Sequence, residues 1–300
     1  MTATYHKPVL LQQAVAGLAI QPKGIYVDAT FGGGGHSQEI LNQLEPAGRL
    51  IGFDQDASAT QNSIADDRFL FIGVNFRHLK AYLKFKQIEA VHGILADFGV
   101  SSHQFDTGSR GFSIRHDGPL DMRMDISQSL KAEDVVNAYS EEDLARVLWD
   151  YGELKSAKKM AALIVEERQT NRIKTTFQLK NIIARKIPAR FENKILAQCF
   201  QAIRIEVNGE LEALKSFLEQ AVSVLKPGGR LVCISYHSLE DRLVKRFMLH
   251  GNFEGVEQKD FYGNNLAPLR RLGKIIYPEA SEIQENTRAR SAKLRIAEKK

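Results

Sequence analysis

The first hundred residues alternate short apolar runs with amphipathic segments, a pattern typical of a parallel α/β sheet. The apolar runs predict four strands, and the periodic segments predict the helices that follow the first three of them. The strands are 25–28, 49–54, 68–73 and 91–97, and the helices are 36–44, 57–64 and 78–85. Leu11, Val15 and Leu18 recur at helical spacing and predict a surface helix ahead of the first strand.

After residue 97 the pattern changes twice before the α/β alternation returns. Residues 98–130 are polar and rich in glycine, which predicts a long irregular loop. A helical period then runs to about residue 205, and the α/β pattern resumes with a helix, a tight turn, a strand, a second helix and a last strand. These elements are 210–225, 226–229, 230–235, 239–249 and 291–297. We therefore expect a core of residues 1–105 and 207–300, an active-site loop over 106–131 and a helical substrate-recognition insertion over 132–206.

Composition is ordinary for a folded chain of 300 residues, but the charge is regional. The net charge is +5, and residues 151–205 carry twelve Lys and Arg against four Asp and Glu, which fits a polyanionic partner. Cys199 and Cys233 are far apart and lack CxxC spacing, so we expect reduced thiols and no metal site. No apolar run approaches the ~18 residues of a membrane span, and we expect a cytoplasmic protein with no membrane partner.

A run of four glycines, Gly32 to Gly35, follows the first predicted strand. At the carboxyl end of a strand such a run lets a ligand lie against bare backbone at a helix N-terminus, although it can also serve only as a tight turn. The dinucleotide fingerprint G-x-G-x-x-G fails, because its sixth position falls on Ser37 or Gln38. The turn predicts a nucleotide-like ligand other than a dinucleotide.

Acidic residues at the ends of the predicted strands narrow the ligand class. Asp28 suits an α-ammonium group, and Asp54 ends the second strand, where a carboxylate accepts ribose hydroxyls. Phe76 fits either an adenine face or the core, and Asp97 ends the fourth strand. The combination favours S-adenosylmethionine over a nicotinamide dinucleotide.

Several longer stretches carry a specific resemblance that extends in order along nearly the whole chain. They are 6–11, 30–37, 97–104, 110–125, 200–211, 226–230, 235–241 and 288–295. The chain resembles the bacterial 16S rRNA cytosine-N4 methyltransferases of the MraW type. Two positions depart from that family's usual pattern, namely Phe98 in place of leucine and His103 in place of proline.

The resemblance implies an α/β, class I (Rossmann-like) S-adenosylmethionine methyltransferase core with an inserted all-helical subdomain. It further implies N4-methylation of a cytidine in the decoding region of 16S rRNA, within the 30S subunit or a late assembly particle. Carried over by motif position, the cofactor contacts are Gly34, Gly35, His36, Asp54, Phe76, Asp97 and Gln104. The resemblance leaves the oligomeric state open.

The group that assists the cytosine amine is not determined by the sequence. Asp97 and His237 are candidates at the predicted sheet edge, and Tyr236 could stack a flipped base or simply pack. Three arginines near the expected site are candidates for phosphate contact: Arg110, Arg115 and Arg123. Three alternatives remain open, namely a methyltransferase for another RNA base or a protein, a nicotinamide-dependent oxidoreductase, and a non-catalytic RNA-binding factor.

Overall fold

The computed structural model describes residues 8–100 and 107–300. Gln104 and His103 therefore lie outside the described residues. The chain divides into two compact units, one formed by residues 1–99 and 211–300 and the other by residues 100–210. The sequence predicts the corresponding boundaries at residues 105 and 207.

The first unit contains a seven-stranded mixed sheet. The strands are β1 (Ile25–Asp28), β2 (Arg49–Phe53), β3 (Phe69–Ile72), β4 (Val91–Asp97), β5 (Leu225–Ser235), β6 (Leu269–Ile276) and β7 (Lys293–Lys299). They lie in the order β3-β2-β1-β4-β5-β7-β6. The first five are mutually parallel, whereas β7 is antiparallel to both β5 and β6. The carboxyl ends of β1, β2 and β4 therefore lie at one edge of the sheet. From β1 the strand order runs one way to β2 and β3 and the other way to β4 and β5, and open α/β sheets bind ligands at such a switch point.

Both faces of this sheet are buried, which explains the nearly continuous apolar runs in the sequence. Successive residues alternate between two cores: Tyr26 and Leu50 belong to one, and Val27 and Ile51 belong to the other. The helices of this unit are α1 (Leu11–Gly17), α2 (Gly35–Asn42), α3 (Leu79–Phe85), α9 (Glu210–Val224), α10 (Ser238–His250) and α11 (Ala280–Glu285). The helix predicted over residues 57–64 is a 3-10 helix over Ala57–Asn62.

The carboxyl-terminal half of the sheet differs from the prediction at two places. The segment 226–229, expected to be a tight turn before a strand, lies within the bounds of β5, but the pairing with β4 passes from Val91–Leu225 to Gly93–Arg230 and leaves these four residues without a partner in β4. The ladder is therefore irregular here, and Gly228 has the positive φ of 76° that a tight turn favours. The edge strand β6 was not predicted at all, because Arg270, Arg271 and Lys274 interrupt its apolar pattern on an exposed edge.

The second unit is helical and has its own apolar core. Its helices are α4 (Ala132–Ala138), α5 (Glu141–Asp150), α6 (Ala157–Thr170), α7 (Thr176–Ala184) and α8 (Glu192–Asn208). The predicted helical stripes are buried in this core: Leu144, Val147, Leu148, Met160, Leu163, Ile164, Leu179, Ile182 and Ile183. Asn208 accepts a hydrogen bond from Met124 N (2.7 Å) and donates to Met122 O (2.8 Å), which fixes the irregular segment before α4 against α8.

Two further expectations concern features outside the sheet. Cys199 and Cys233 are free and buried, as expected for reduced thiols that take part in packing. Over residues 8–100 and 107–300, no helix has both the length and the apolar character needed to cross a membrane.

Candidate cofactor site at the carboxyl edge of the sheet

The glycine turn after β1 combines left-handed backbone with close packing. Gly34 is the N-cap of α2 and has φ +77°, and a Cβ at this position would lie 3.0 Å from the ring of Phe31. A Cβ on Gly35 would lie 2.2 Å from Pro8 Cγ, so this glycine is needed because the amino-terminal segment passes over it. The first-turn N–H groups of α2 have no intrahelical acceptor, and they supply donors at the sheet edge.

The carboxylate of Asp28 accepts hydrogen bonds that hold the glycine turn in shape. Its side chain is fully buried, and its two oxygens accept hydrogen bonds from Thr30 N (3.1 Å) and Ser37 Oγ (2.7 Å). Burial raises the pKa of the Asp28 carboxyl, and the nearby His36 partly offsets this effect. The Asp28 carboxylate therefore shapes the turn, and its interpretation as the partner of a ligand ammonium group stays a prediction.

His36 lies in the first turn of α2 and is buried. Its Nε2 lies 3.1 Å from the carbonyl oxygen of Val9, in the segment that also carries Pro8. The imidazole therefore binds the amino-terminal segment to the glycine turn, which leaves the backbone of His36 as the part available to a ligand.

Asp54 follows β2 and extends the same edge. Its Oδ2 accepts from Gly32 N (2.8 Å) and its Oδ1 accepts from Asp56 N (2.8 Å), which ties the β2 end to the glycine turn. Burial raises the pKa of Asp54 to about 6, and these two hydrogen bonds act in the opposite direction. Each carboxylate oxygen has a second lone pair, so acceptor capacity remains for ligand hydroxyls.

Phe76 begins the 3-10 turn after β3. Its ring makes edge contacts with Phe98 (5.9 Å between centroids) and Phe217 (5.3 Å). Phe98, which departs from the family's usual leucine, is therefore part of a three-ring cluster in the core of the first unit. Phe76 is only partly buried, so one portion of the ring is held by the cluster while another is open at the sheet edge.

Asp97 ends β4 and carries a buried oxygen with an unmet hydrogen-bonding capacity. Its backbone N donates to Thr30 Oγ1 (2.6 Å), and its carboxylate accepts a hydrogen bond from the Tyr236 hydroxyl. Oδ1 is buried and has no hydrogen-bond partner among the described residues. Burial raises the pKa of Asp97 to about 6, against the lowering effect of His36 and Tyr236. A buried acceptor without a partner is costly, so a ligand contact at Asp97, as the sequence predicts, stays a prediction that this oxygen supports.

His237 is the N-cap of α10. Its Nδ1 accepts from Glu240 N (3.4 Å), while Glu240 Oε2 accepts from Tyr236 N (2.9 Å) and His237 N (3.4 Å). This reciprocal arrangement is a capping box. The helix itself begins at Ser238.

Four side chains that organise this edge were missed in the sequence: Thr30, Ser37, Asn62 and Glu240. Asn62 donates from Nδ2 to Gly32 O (2.9 Å), which fixes the glycine turn from the 3-10 helix after β2. The three-residue spacing between His237 and Glu240 is the signal that predicts a capping box, whereas the other three depend on contacts across the sheet edge that spacing does not reveal.

The three arginines assigned to phosphate contact lie in the second unit and differ in their surroundings. Arg123 forms a bidentate ion pair with Asp121 (both contacts 2.8 Å) and also donates to the carbonyls of Ile126 (2.8 Å) and Gln128 (2.6 Å). Arg110 donates to the carbonyls of residues 123 and 124. Arg115 is exposed. Arg110 and Arg123 therefore brace the irregular segment, and phosphate contact by any of the three stays a prediction.

The basic residues of the helical unit also divide into two groups. Lys155, Lys158 and Lys159 are exposed. Arg168 donates to the carbonyls of Val136 (2.8 Å) and Tyr139 (2.6 Å), so its guanidinium joins α6 to α4. The lysines at the start of α6 are consequently better placed for a polyanion than Arg168.

The sheet order, with antiparallel β7 between β5 and the edge strand β6, is that of the class I methyltransferases. The glycine turn after β1, Asp54 after β2 and Asp97 at the end of β4 occupy the edge where this class binds its donor. The protein is a class I methyltransferase that uses S-adenosylmethionine. It belongs to the MraW methylase family, whose family model matches residues 3–300.

Relatives match over nearly their whole length. The chain is 58% identical over 298 residues to the ribosomal RNA small subunit methyltransferase H of Flavobacterium johnsoniae, with 99% of both chains covered. It is 56% identical to the protein of that name from Christiangramia forsetii, covering 98% of each chain. The protein of the same name from Bacteroides thetaiotaomicron is 54% identical, with 99% of this chain and 98% of the relative covered.

Proposed function

We propose that the protein methylates N4 of a cytidine in the decoding region of 16S rRNA, within the 30S subunit or a late assembly particle. The relatives named as ribosomal RNA small subunit methyltransferases support an rRNA substrate, and the resemblance of the sequence motifs supports the cytosine amine. We infer that it acts in the cytoplasm, where small subunits are assembled.

The observation that supports the site assignment best is the unpartnered Oδ1 of Asp97 at the carboxyl end of β4. We assign the donor to the edge formed by the backbone of Gly34, Gly35 and His36, the carboxylate of Asp54, the open part of Phe76 and this oxygen. Gln104 belongs to the same proposed set and lies outside the described residues. When bound, S-adenosylmethionine supplies an electrophilic methyl group.

The exocyclic amine of cytosine is a weak nucleophile, so the protein must align it and accept its hydrogen bonds as positive charge develops. Asp97 is the carboxylate that we assign to the donor or to this amine, because its Oδ1 has no hydrogen-bond partner among the described residues while the carboxylate also accepts from the Tyr236 hydroxyl. Tyr236 then acts as the group that holds Asp97 in place. His237 caps α10 through Nδ1, and its buried Nε2 has no hydrogen-bond partner among the described residues, so it stays a candidate at the amine.

The substrate side is assigned to the second unit, as the domain organisation predicts. Residues 106–131 would form the active-site loop and residues 132–206 the recognition insertion. Lys155, Lys158, Lys159 and Arg115 are exposed cations suited to phosphate contact.

The test is methyl transfer from labelled donor to purified 30S subunits and to naked 16S rRNA, followed by nucleoside mass spectrometry. We expect label in N4-methylcytidine, and label in another nucleoside or in protein would overturn the proposed substrate. Asp54→Ala should weaken donor binding in calorimetry, whereas Asp67→Ala, which replaces an exposed aspartate ahead of β3, should not. For Asp97→Asn, a higher Kd for the donor indicates a donor contact, and a lower kcat at saturating donor indicates a contact to the amine.

A further inference from the structure

The segment between α10 and β6 carries an ordered turn with two aromatic side chains at its tip. We call residues 259–265 the aromatic turn. Lys259 and Asn265 form an isolated antiparallel bridge at its base, and Phe261 and Tyr262 occupy its tip. The turn belongs to the first unit and is not among the residues assigned to the donor site.

The aromatic turn is held rigid by one carboxylate. Asp260 Oδ1 accepts from Tyr262 N (2.8 Å) and Asn264 N (2.9 Å), and Oδ2 accepts from Asn264 Nδ2 (2.9 Å). The backbone of Asp260 also donates to Asn264 O (3.0 Å), and Gly263 takes a positive φ of 86°. The tip therefore has a defined shape before any partner binds, which lowers the entropic cost of binding.

The two rings at the tip are almost completely exposed. Phe261 is 97% exposed and Tyr262 is 86% exposed. Their planes are nearly perpendicular, at 88°, with centroids 5.7 Å apart. A pair of aromatic side chains on a rigid support is a surface suited to stacking, because each ring brings large contact area with few rotatable bonds.

The chain on either side of the rings is basic in sequence. Residues 245–274 contain six Lys and Arg against three Asp and Glu. Arg270, Arg271 and Lys274 lie on β6, the exposed edge strand that follows the turn, and Arg270 is ion-paired with Glu298. Aromatic faces flanked by cations are the arrangement by which proteins hold unpaired nucleotides, with bases on the rings and phosphates on the cations.

We propose that the aromatic turn is an RNA contact that stacks an unpaired base of the rRNA substrate on Phe261 or Tyr262, while β6 contacts the adjacent phosphates. The inference rests on the proposed function for its choice of RNA. The positive flank favours a polyanion over an apolar protein surface or a second copy of this chain. The contact adds affinity and register at a distance from the methyl-transfer chemistry.

The experiment compares the double variant Phe261→Ala/Tyr262→Ala with Phe85→Ala in methyl transfer to 30S subunits. Phe85 is a matched control, since it is 75% exposed and lies beside Lys86 but is not on the turn. For the double variant we expect KM for the subunit to rise about 10-fold, the size of one base–aromatic stack, with kcat and donor Kd unchanged. Phe85→Ala should leave all three constants unchanged. The variant Phe261→Trp/Tyr262→Trp should retain the wild-type KM, whereas Phe261→Leu/Tyr262→Leu should not.

The salt dependence separates stacking from charge. The double variant should keep the wild-type slope of log Kd for RNA against log salt, while Arg271→Gln/Lys274→Gln should reduce that slope. An unchanged KM in the double variant overturns the inference. If wild type sediments as a dimer and the double variant as a monomer, the inference is also overturned, because the partner of the turn is then a second copy of this chain. If wild-type protein transfers no methyl group to 30S subunits or rRNA, the proposed function fails instead, so the two failures are distinguishable.

Discussion

Replacement of Asp97 by asparagine should stabilise the protein in the absence of donor, and the gain should depend on pH. The carboxylate is held at the end of β4 with a buried oxygen that lacks a partner, and burial raises its pKa to about 6. Because the pKa in the folded state exceeds the value of an unfolded aspartate, protonation favours the folded state. The contribution of Asp97 to stability is therefore complete below about pH 4 and is lost as the pH rises through about 6.

The magnitude follows from the two pKa values. The difference between about 6 and the ordinary value of 3.8 corresponds to about 3 kcal/mol at neutral pH. The asparagine variant does not ionise and keeps an oxygen that can accept from Tyr236. Its advantage in unfolding free energy over wild type should be about 1.6 kcal/mol at pH 5. This advantage should widen by about 1.4 kcal/mol between pH 5 and pH 8.

Urea denaturation at several pH values measures this gap. The first unit should be followed by hydrogen exchange in β1 and β4, because Trp149, the single tryptophan, lies in the second unit and reports that unit separately. Asp241→Asn provides a control of opposite sign. Burial raises the pKa of Asp241, but hydrogen bonds and charge from Arg295 and Lys293 outweigh it and lower the net value. The stability of Asp241→Asn relative to wild type should therefore fall as pH rises. If the stability difference between Asp97→Asn and wild type does not vary with pH, the reasoning is refuted.

Three further predictions concern other parts of the structure. Arg123→Ala should destabilise the second unit by about 1–3 kcal/mol, because it leaves Asp121 and two loop carbonyls without their donor; Trp149 fluorescence during denaturation measures this, and a variant of normal stability with weakened RNA binding would instead favour phosphate contact. Gly35→Ala should displace the segment around Pro8 and speed proteolysis of the amino terminus, whereas Gly73→Ala, whose Cβ would meet Phe71 at 3.5 Å, should not. Cys199 should resist alkylation in the native protein, since burial raises its pKa to about 12; rapid labelling without denaturant would contradict this placement.

Sequence patterns predicted the parallel half of the sheet well, because its strands are buried on both faces and their apolar runs are uninterrupted. The bounds of β4 are those predicted. The sequence patterns did not predict the strand bounds in the carboxyl-terminal half of the sheet, where residues typical of turns and loops lie inside strands. Lys226-Pro-Gly-Gly229 has the composition of a turn and lies inside β5, where it interrupts the pairing with β4. β6 has the charge pattern of a loop, and it is a strand because it pairs with β7.

The candidate site was predictable to the level of backbone position but not of side-chain role. Asp28 and Asp54 have the same chemistry and both follow an apolar strand, yet Asp28 is fully buried beneath the glycine turn. The difference comes from Ser37 and Thr30, which approach Asp28 only after the turn has closed. Gly35 was assigned to ligand approach, whereas the closest group to it is Pro8, a residue far outside the motif.

The position of β7 has a consequence for synthesis of the chain on the ribosome. This strand comes after every other strand in the sequence, yet it pairs with β5 on one side and β6 on the other. While residues 293–299 are still inside the exit tunnel, β5 has an open edge and β6 has no neighbour, and such edges invite pairing with other chains. A nascent chain stopped shortly before residue 293 would therefore be prone to aggregation, although all of the residues assigned to donor binding have already been made.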